Sequence, residues 1–294
     1  MPNGWGWIGA VTVGLVGASC GPTATAAPPA AQRIVSLVPS VTDLINALGE
    51  QGRLVARTRY DTVPDLAHLP AIGGTLDPSI ERLVELEPDL VITGFPDQDG
   101  DASGNLARAG VSTLRVHAET LGDLRQILGE LGRRLGIAHR TDSLWSAITD
   151  SLDAVRRSVA HGHPRSVFFV TWVSPPMTVG PRTFVHEVIE AAGGRNAFDD
   201  VHTNWPTVSI EAVVQRNPDV IVLPVAAGDS TALDALRHTP GFQNLRAIRD
   251  GRVLTVDRDL FTRPGPRMHE AARTLADYLR TLRHGGTDER PSGG

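Results

Sequence analysis

The sequence predicts an α/β protein of two similar three-layer lobes, each built on a parallel sheet, joined by one long rigid helix with a ligand cleft between them. Short β-branched runs alternate with amphipathic stretches along the chain, which is the rhythm of βα units. The stretch SIERLVELEPDLVITG (79–94) aligns without a gap on SIEAVVQRNPDVIVLP (209–224). The matches are Ser79/Ser209, Ile80/Ile210, Glu81/Glu211, Val84/Val214, Pro88/Pro218 and Asp89/Asp219. A weaker echo sets DLINALG (43–49) against EVIEAAG (187–193). Between the halves, Leu144, Ile148, Leu152, Val155 and Val159 recur at helical spacing without Gly or Pro, enough for a helix of roughly 30 Å.

The elements follow in order. Residues 8–19, IGAVTVGLVGAS, are uncharged and apolar but fall short of the ~20 residues that span a bilayer, so residues 1–19 read as a signal peptide. Cys20 follows small residues, as at a bacterial lipoprotein processing site, and is the expected lipidation point. Two departures are Gly17, where that pattern prefers Leu, and an n-region without Arg or Lys. Residues 20–32 then form a Pro/Ala/Thr tether. Gly4, Gly6 and Gly9 match a dinucleotide fingerprint, and Gly17, Ser19 and Gly21 a nucleophile elbow. Neither has a strand before it and a helix after it, so neither carries weight.

The first lobe (33–137) opens with a buried strand, RIVSLV (33–38), and a helix from Val41 to Leu48 stopped at Gly49. A strand at 54–58, a helix from Pro78 to Leu86, strands at 89–93 and 111–116 and a helix from Leu121 to Leu135 complete it. The backbone helix occupies 138–164, with HGHP (161–164) ending it. The second lobe (165–284) repeats the rhythm. It has strands at 166–171, 219–224 and 252–256, helices from Phe184 to Ala192 and Ile210 to Gln215, helical turns to Leu245 and a last helix from Arg267 to Leu282. Residues 285–294 read as a polar, disordered tail.

Composition narrows the chemistry. The chain has 294 residues, 41% hydrophobic and 21% charged, which suits a packed core. The net charge of -5 argues against a nucleic-acid partner. No lysine is present, so P-loop, Schiff-base and pyridoxal-phosphate chemistries lack their amine. The single Cys excludes disulfide frameworks, Cys-rich zinc sites and iron–sulfur clusters within one chain. The 10 histidines are scattered, with His161 and His163 at the end of the backbone helix and no H-E-x-x-H, so neither a metal site nor a cofactor is expected. A hydrolase built on Ser40 would lack the glycines of a nucleophile elbow, so the chain is not read as an enzyme.

Ligands of open α/β sheets collect outside the carboxyl ends of strands. The loops after the first strand of each lobe, Pro39-Ser40 and Trp172 to Met177 (WVSPPM), therefore face the cleft. Tyr60 follows the second strand, and Trp205-Pro206 precedes the second repeat helix. Together these aromatics suit a flat apolar ligand, and Asp259 and Arg263 could meet its polar rim. Tyr60 and Met177 are the possible axial ligands if that ligand is haem. A carboxylate in the first helical turn is stabilised by the helix dipole, which accounts for Glu81 or Glu211 alone. The same anionic point on both lobes also suits docking onto a two-fold partner with paired arginines.

RIVSLVPSVTDLINALG, GGTLDPSIERLVELEPDLVITG, GGRNAF (193–198) and NWPTVSIEAVVQRNPDVIVL resemble the substrate-binding proteins of ABC transporters with a helical interlobe backbone. The resemblance covers residues 33–283 and is strongest to the vitamin B12-binding branch. It implies an exported, lipid-anchored monomer that binds cobalamin, with ferric siderophore or haem as alternatives. It implies a permease dimer with a cytoplasmic ATPase as partner. It implies ligand contacts at Tyr60, Trp172, Trp205, Asp259 and Arg263, beside the Ser40 that the strand-end rule supplies, and permease docking at Glu81 and Glu211. The loop GFPDQDGDASG (94–104) departs from the family patterns.

Overall fold

Strands β1 (Ile34–Ser36), β2 (Leu54–Ala56), β3 (Leu90–Gly94) and β4 (Thr113–Val116) form one parallel sheet in the order β2-β1-β3-β4. Strands β5 (Arg165–Phe169), β6 (Gly194–Asn196), β7 (Val220–Val225) and β8 (Val253–Asp257) form a second, ordered β6-β5-β7-β8. Replacing each strand of one sheet by its counterpart in the repeat converts one order into the other. The computed structural model describes residues 30–284, apart from Leu76 and residues 95–103, 105, 107, 109 and 160–162. The signal segment, Cys20, most of the tether, nearly all of loop 94–104, His161 and the tail at 285–294 lie outside the described residues.

The inner strands carry almost unbroken apolar runs, LVITG and VIVLPV, because parallel strands are covered on both faces. Helix α1 (Pro39–Ala47) begins two residues earlier than expected. Pro39 and Ser40 are its first turn rather than a loop, since Pro at the first helical position has no amide to satisfy. Helix α2 (Ile80–Glu85) is capped by the Ser79 hydroxyl. Helix α3 (Leu121–Leu135) starts at a Thr120–Asp123 capping box and stops at left-handed Gly136. Helix α4 (Ala138–Val159) has 22 residues, ~33 Å, and buries Thr141, Ile148, Leu152 and Val155 along one stripe.

In the second lobe, α5 (Phe184–Ala191) and α6 (Ile210–Arg216) precede α7 (Ala232–His238) and α8 (Arg246–Arg249). The short α9 (Arg258–Thr262) and α10 (Met268–His284) end the fold. β6 and α9 are absent from the sequence reading. Gly-Arg-Asn has no apolar alternation, and a five-residue helix ahead of Pro264 has no period to detect.

The repeat is preserved in side-chain function. Asp89 accepts from the Arg33 amide at 3.1 Å and Asp219 from the Ser166 amide at 3.0 Å, so each ties its strand to the start of its neighbour. Ser79 and Ser209 both cap their helices. Glu87 and Asn217 sit at the same repeat position, both left-handed at φ 44 and 43. GGRNAF is structural: Asn196, fully buried, donates to Val179 O at 2.9 Å and accepts from Phe198 N at 3.0 Å.

One continuous core runs through both lobes. It includes Ile34, Leu44 and Ile92 of the first lobe, Leu128, Ile148 and Leu152 of α3 and α4, and Phe169, Val188 and Leu275 of the second. Two smaller clusters, around Val91 and around Phe168, lie on the other faces of the sheets. Among the described residues no helix is long and apolar enough to cross a membrane.

Candidate functional site

A cavity of about 460 Å³ lies between the lobes. Ser40, Tyr60, His117 and Glu119 line it from the first lobe, and Phe184, Trp205, Arg258, Asp259 and Arg263 from the second. Of the cleft residues singled out from sequence, Ser40, Tyr60, Trp205, Asp259 and Arg263 come together here, whereas Trp172 and Met177 do not. Trp172 is not part of the lining and is 62% exposed. Its loop closes on itself: Trp172 Nε1–H donates to Ser174 O, and Met177 N–H donates to Trp172 O, both at 2.9 Å. Met177 pairs with Trp172 and Thr207 and is also outside the lining.

Each wall residue is placed by local chemistry. Tyr60 stands on a turn after β2, which is three residues long rather than the five expected. Asp61 folds back there to accept from the Thr58 amide at 2.6 Å and hydroxyl at 2.8 Å. The Arg59 guanidinium stacks over the Tyr60 ring at 5.2 Å. Trp205 is carried by a loop stitched to residues 178–180, with Thr178 N–H donating to Pro206 O and Gly180 N–H to Asn204 O. A Cβ at Gly180 would lie 1.9 Å from Thr203 O, so only glycine admits this approach.

Asp259 and Arg263 lie one turn apart at α9 and form an ion pair of 2.9 Å. Arg263 also crosses to the first lobe, donating to Tyr60 O at 2.7 Å and Thr62 Oγ1 at 3.4 Å. Beneath it, an adjoining cavity of about 400 Å³ holds Asp43, Asn46 and Arg267 and shares Asp259 and Arg263. Burial pushes the Asp43 carboxyl up to about 6, against the pull of Arg263 at 3.9 Å, with Asp61 and Asp259 adding to the rise.

The opposite side of the cleft has a second set of crossings. The Glu119 carboxylate accepts from Trp205 Nε1–H at 3.2 Å and from the Asn204 side chain. The Phe184 amide donates to Glu119 O at 2.6 Å, and the Leu121 amide to Glu187 at 3.1 Å. These amides are the orphan first donors of α5 and α3, each satisfied from the other lobe. Burial raises the Glu187 carboxyl, partly offset by that amide.

Glu119, His117 and Phe184 went unrecognised in the sequence. The strand-end rule, applied to β4 as it was to β1, points to residues 117–119. No local signal marks Phe184, whose position depends on how the lobes dock.

Glu81 and Glu211 are exposed on α2 and α6, outside the lining, and each has an exposed valine one turn on, Val84 (39%) and Val214 (40%). The structure places the two glutamates at equivalent points of the two lobes.

The model of the periplasmic binding protein family matches residues 34–260. The chain is 30% identical over 255 residues to an uncharacterized ABC transporter substrate-binding lipoprotein, YvrC, of Bacillus subtilis (strain 168), covering 84% of this chain and 80% of that one. It is 26% identical over 268 residues to a vitamin B12-binding protein of Pectobacterium atrosepticum, covering 88% and 92%. Among solved structures, the apo form of the periplasmic heme-binding protein RhuT from Roseiflexus sp. RS-1 superposes with a TM-score of 0.74 at 28% identity, covering 84% and 98%.

Proposed function

Because the chain belongs to the periplasmic binding protein family, we propose that it is the solute-binding component of an ABC importer that captures cobalamin in the interlobe cavity and delivers it to the permease. It acts by stoichiometric binding and breaks no bond. The observation that carries the ligand assignment is the lining itself. Tyr60, Phe184 and Trp205 offer apolar surface, and the charged groups Glu119, Asp259, Arg258 and Arg263 cancel formally. A corrinoid is a flat macrocycle edged with amides, each both donor and acceptor, and an Asp–Arg pair can answer both halves of an amide. The macrocycle of haem carries carboxylates at its edge, which would meet Arg258 and Arg263 but lie against Glu119 and Asp259 as well.

On this reading Ser40, Tyr60, Trp205, Asp259 and Arg263 contact the ligand, and Trp172 does so only if the ligand reaches beyond the cavity. Glu81 and Glu211 dock on arginines of a two-fold permease dimer served by a cytoplasmic ATPase. Residues 1–19 are removed on export and Cys20 carries the lipid, with 20–32 as tether. Residues 33–137 and 165–284 are the lobes, 138–164 the backbone helix and 285–294 a tail. The protein works as a monomer at the outer face of the cell envelope or in the periplasm. Lobe closure is small because α4 spans both lobes and the core is shared.

Haem is a second reading, because Tyr60 and His117 both line the cavity and either could supply an axial ligand. Calorimetric titration of the purified protein with cyanocobalamin, haemin and a ferric siderophore separates the readings. Saturable one-to-one cobalamin binding at or below about micromolar supports the proposal. Haemin or siderophore binding without cobalamin heat overturns the ligand and keeps the importer role.

A further inference from the structure

Trp205 belongs to the second lobe, yet the group that fixes its ring edge comes from the first. Glu119 sits just past the end of β4 with its side chain 14% exposed. One carboxylate oxygen accepts the Trp205 indole N–H at 3.2 Å and the other holds the neighbouring Asn204 amide. Its own backbone is pinned at both ends: Asp123 accepts its N–H at 3.1 Å, and its carbonyl takes the Phe184 N–H at 2.6 Å. An anion held this rigidly in a half-buried site is a directional acceptor, and hydrogen bonds to charged groups are about twice as strong as neutral ones. The oxygen that accepts the indole N–H also lies 3.5 Å from His117 Nε2, so a Trp205 ring that swung into solvent would leave the carboxylate with His117 and Asn204 but without its indole donor.

We infer that Glu119 is a positioning residue that clasps Trp205 across the lobe boundary, so that Trp205 keeps its place in the cavity wall only while the two lobes are docked. The inference rests on the cavity being the ligand site, and it ties ligand affinity to lobe docking through one side chain. It also separates two roles that the lining alone does not distinguish. Trp205 contributes surface, and Glu119 contributes order.

The clasp is tested first without ligand, by nuclear magnetic resonance of protein labelled at the Trp indole nitrogens, with the Trp205 signal assigned through Trp205→Phe. Glu119→Ala should move that signal toward the free-indole position and speed its exchange with water. Glu119→Gln keeps an acceptor oxygen and should leave the signal near its original position. Circular dichroism confirms that each variant is folded, and the backbone ties of residue 119 persist in both. Titration with cyanocobalamin and haemin then reads the consequence. Glu119→Ala should weaken whichever solute binds by about tenfold, the scale of one hydrogen bond to a charged group. Glu119→Gln should restore most of the loss. In a Trp205→Phe background, which keeps a ring but no N–H, Glu119→Ala should cost much less.

An unmoved indole signal in Glu119→Ala overturns the clasp. So does an equal affinity loss in both backgrounds, which makes Glu119 a direct ligand contact instead. If the unmodified protein binds none of cyanocobalamin, haemin and the ferric siderophore, the reading of the cavity falls and the indole signal alone decides the clasp.

Discussion

Trp205 shows how much of this site depends on single side chains. It packs against the shared core, lines the cavity and gives its N–H to Glu119. Trp205→Ala should weaken ligand binding by about 1–3 kcal/mol, the scale of burying one large apolar side chain, and unchanged heats of titration would remove it from the site. Asp43 carries a different prediction. Burial lifts its pKa to about 6 from the ordinary 3.8, so between those values the folded protein holds a proton that the unfolded chain has released. The cost of ionising it is absent below about pH 3.8, grows between the two values and is complete above about pH 6, on the order of 2–3 kcal/mol. Asp43→Asn cannot ionise, so its melting temperature should gain on that of the parent protein from pH 4 to pH 7 and then run parallel. Profiles parallel throughout would mean that Asp43 is not raised.

Elements were legible where local signals and periodicity agreed. Leu121–Leu135 was placed at both ends, because Thr120, Asp123 and Gly136 write its boundaries into the chain, and the backbone helix was placed at its start, Ala138. The strand β2 was read two residues too long because Thr58 has strand propensity, but its amide is taken by Asp61. In the site, the aromatic residues and the Asp259–Arg263 spacing stood out in the sequence. Glu119 did not, because an Ala-Glu-Thr ahead of a helix looks like ordinary capping until the opposing loop is in place. That loop depends on Gly180. Gly180→Ala would drive a methyl group into Thr203 O and displace the segment carrying Trp205. We expect a loss of about 1–3 kcal/mol in thermal stability together with weaker ligand binding. Normal values for both would show that the loop yields without consequence.

At the scale of the whole molecule, the equivalent strand orders make the positions of α2 and α6 follow from the fold rather than from separate invention. Glu81 and Glu211, with Val84 and Val214 beside them, therefore present matching surfaces on the two lobes. The double substitution Glu81→Ala with Glu211→Ala should leave ligand affinity unchanged and lower uptake in whole cells. Transport at the parental rate would return both residues to a role at their own helix termini.

The core that passes through both lobes bears on whether the halves can exist apart. They share the aspartate that ties neighbouring strands, the serine cap and the left-handed residue after the helix. Their inner faces, however, meet in a single apolar cluster together with α3 and α4. A half cut free would expose the apolar surface that the other half now covers, so likeness between the halves does not make either one self-sufficient.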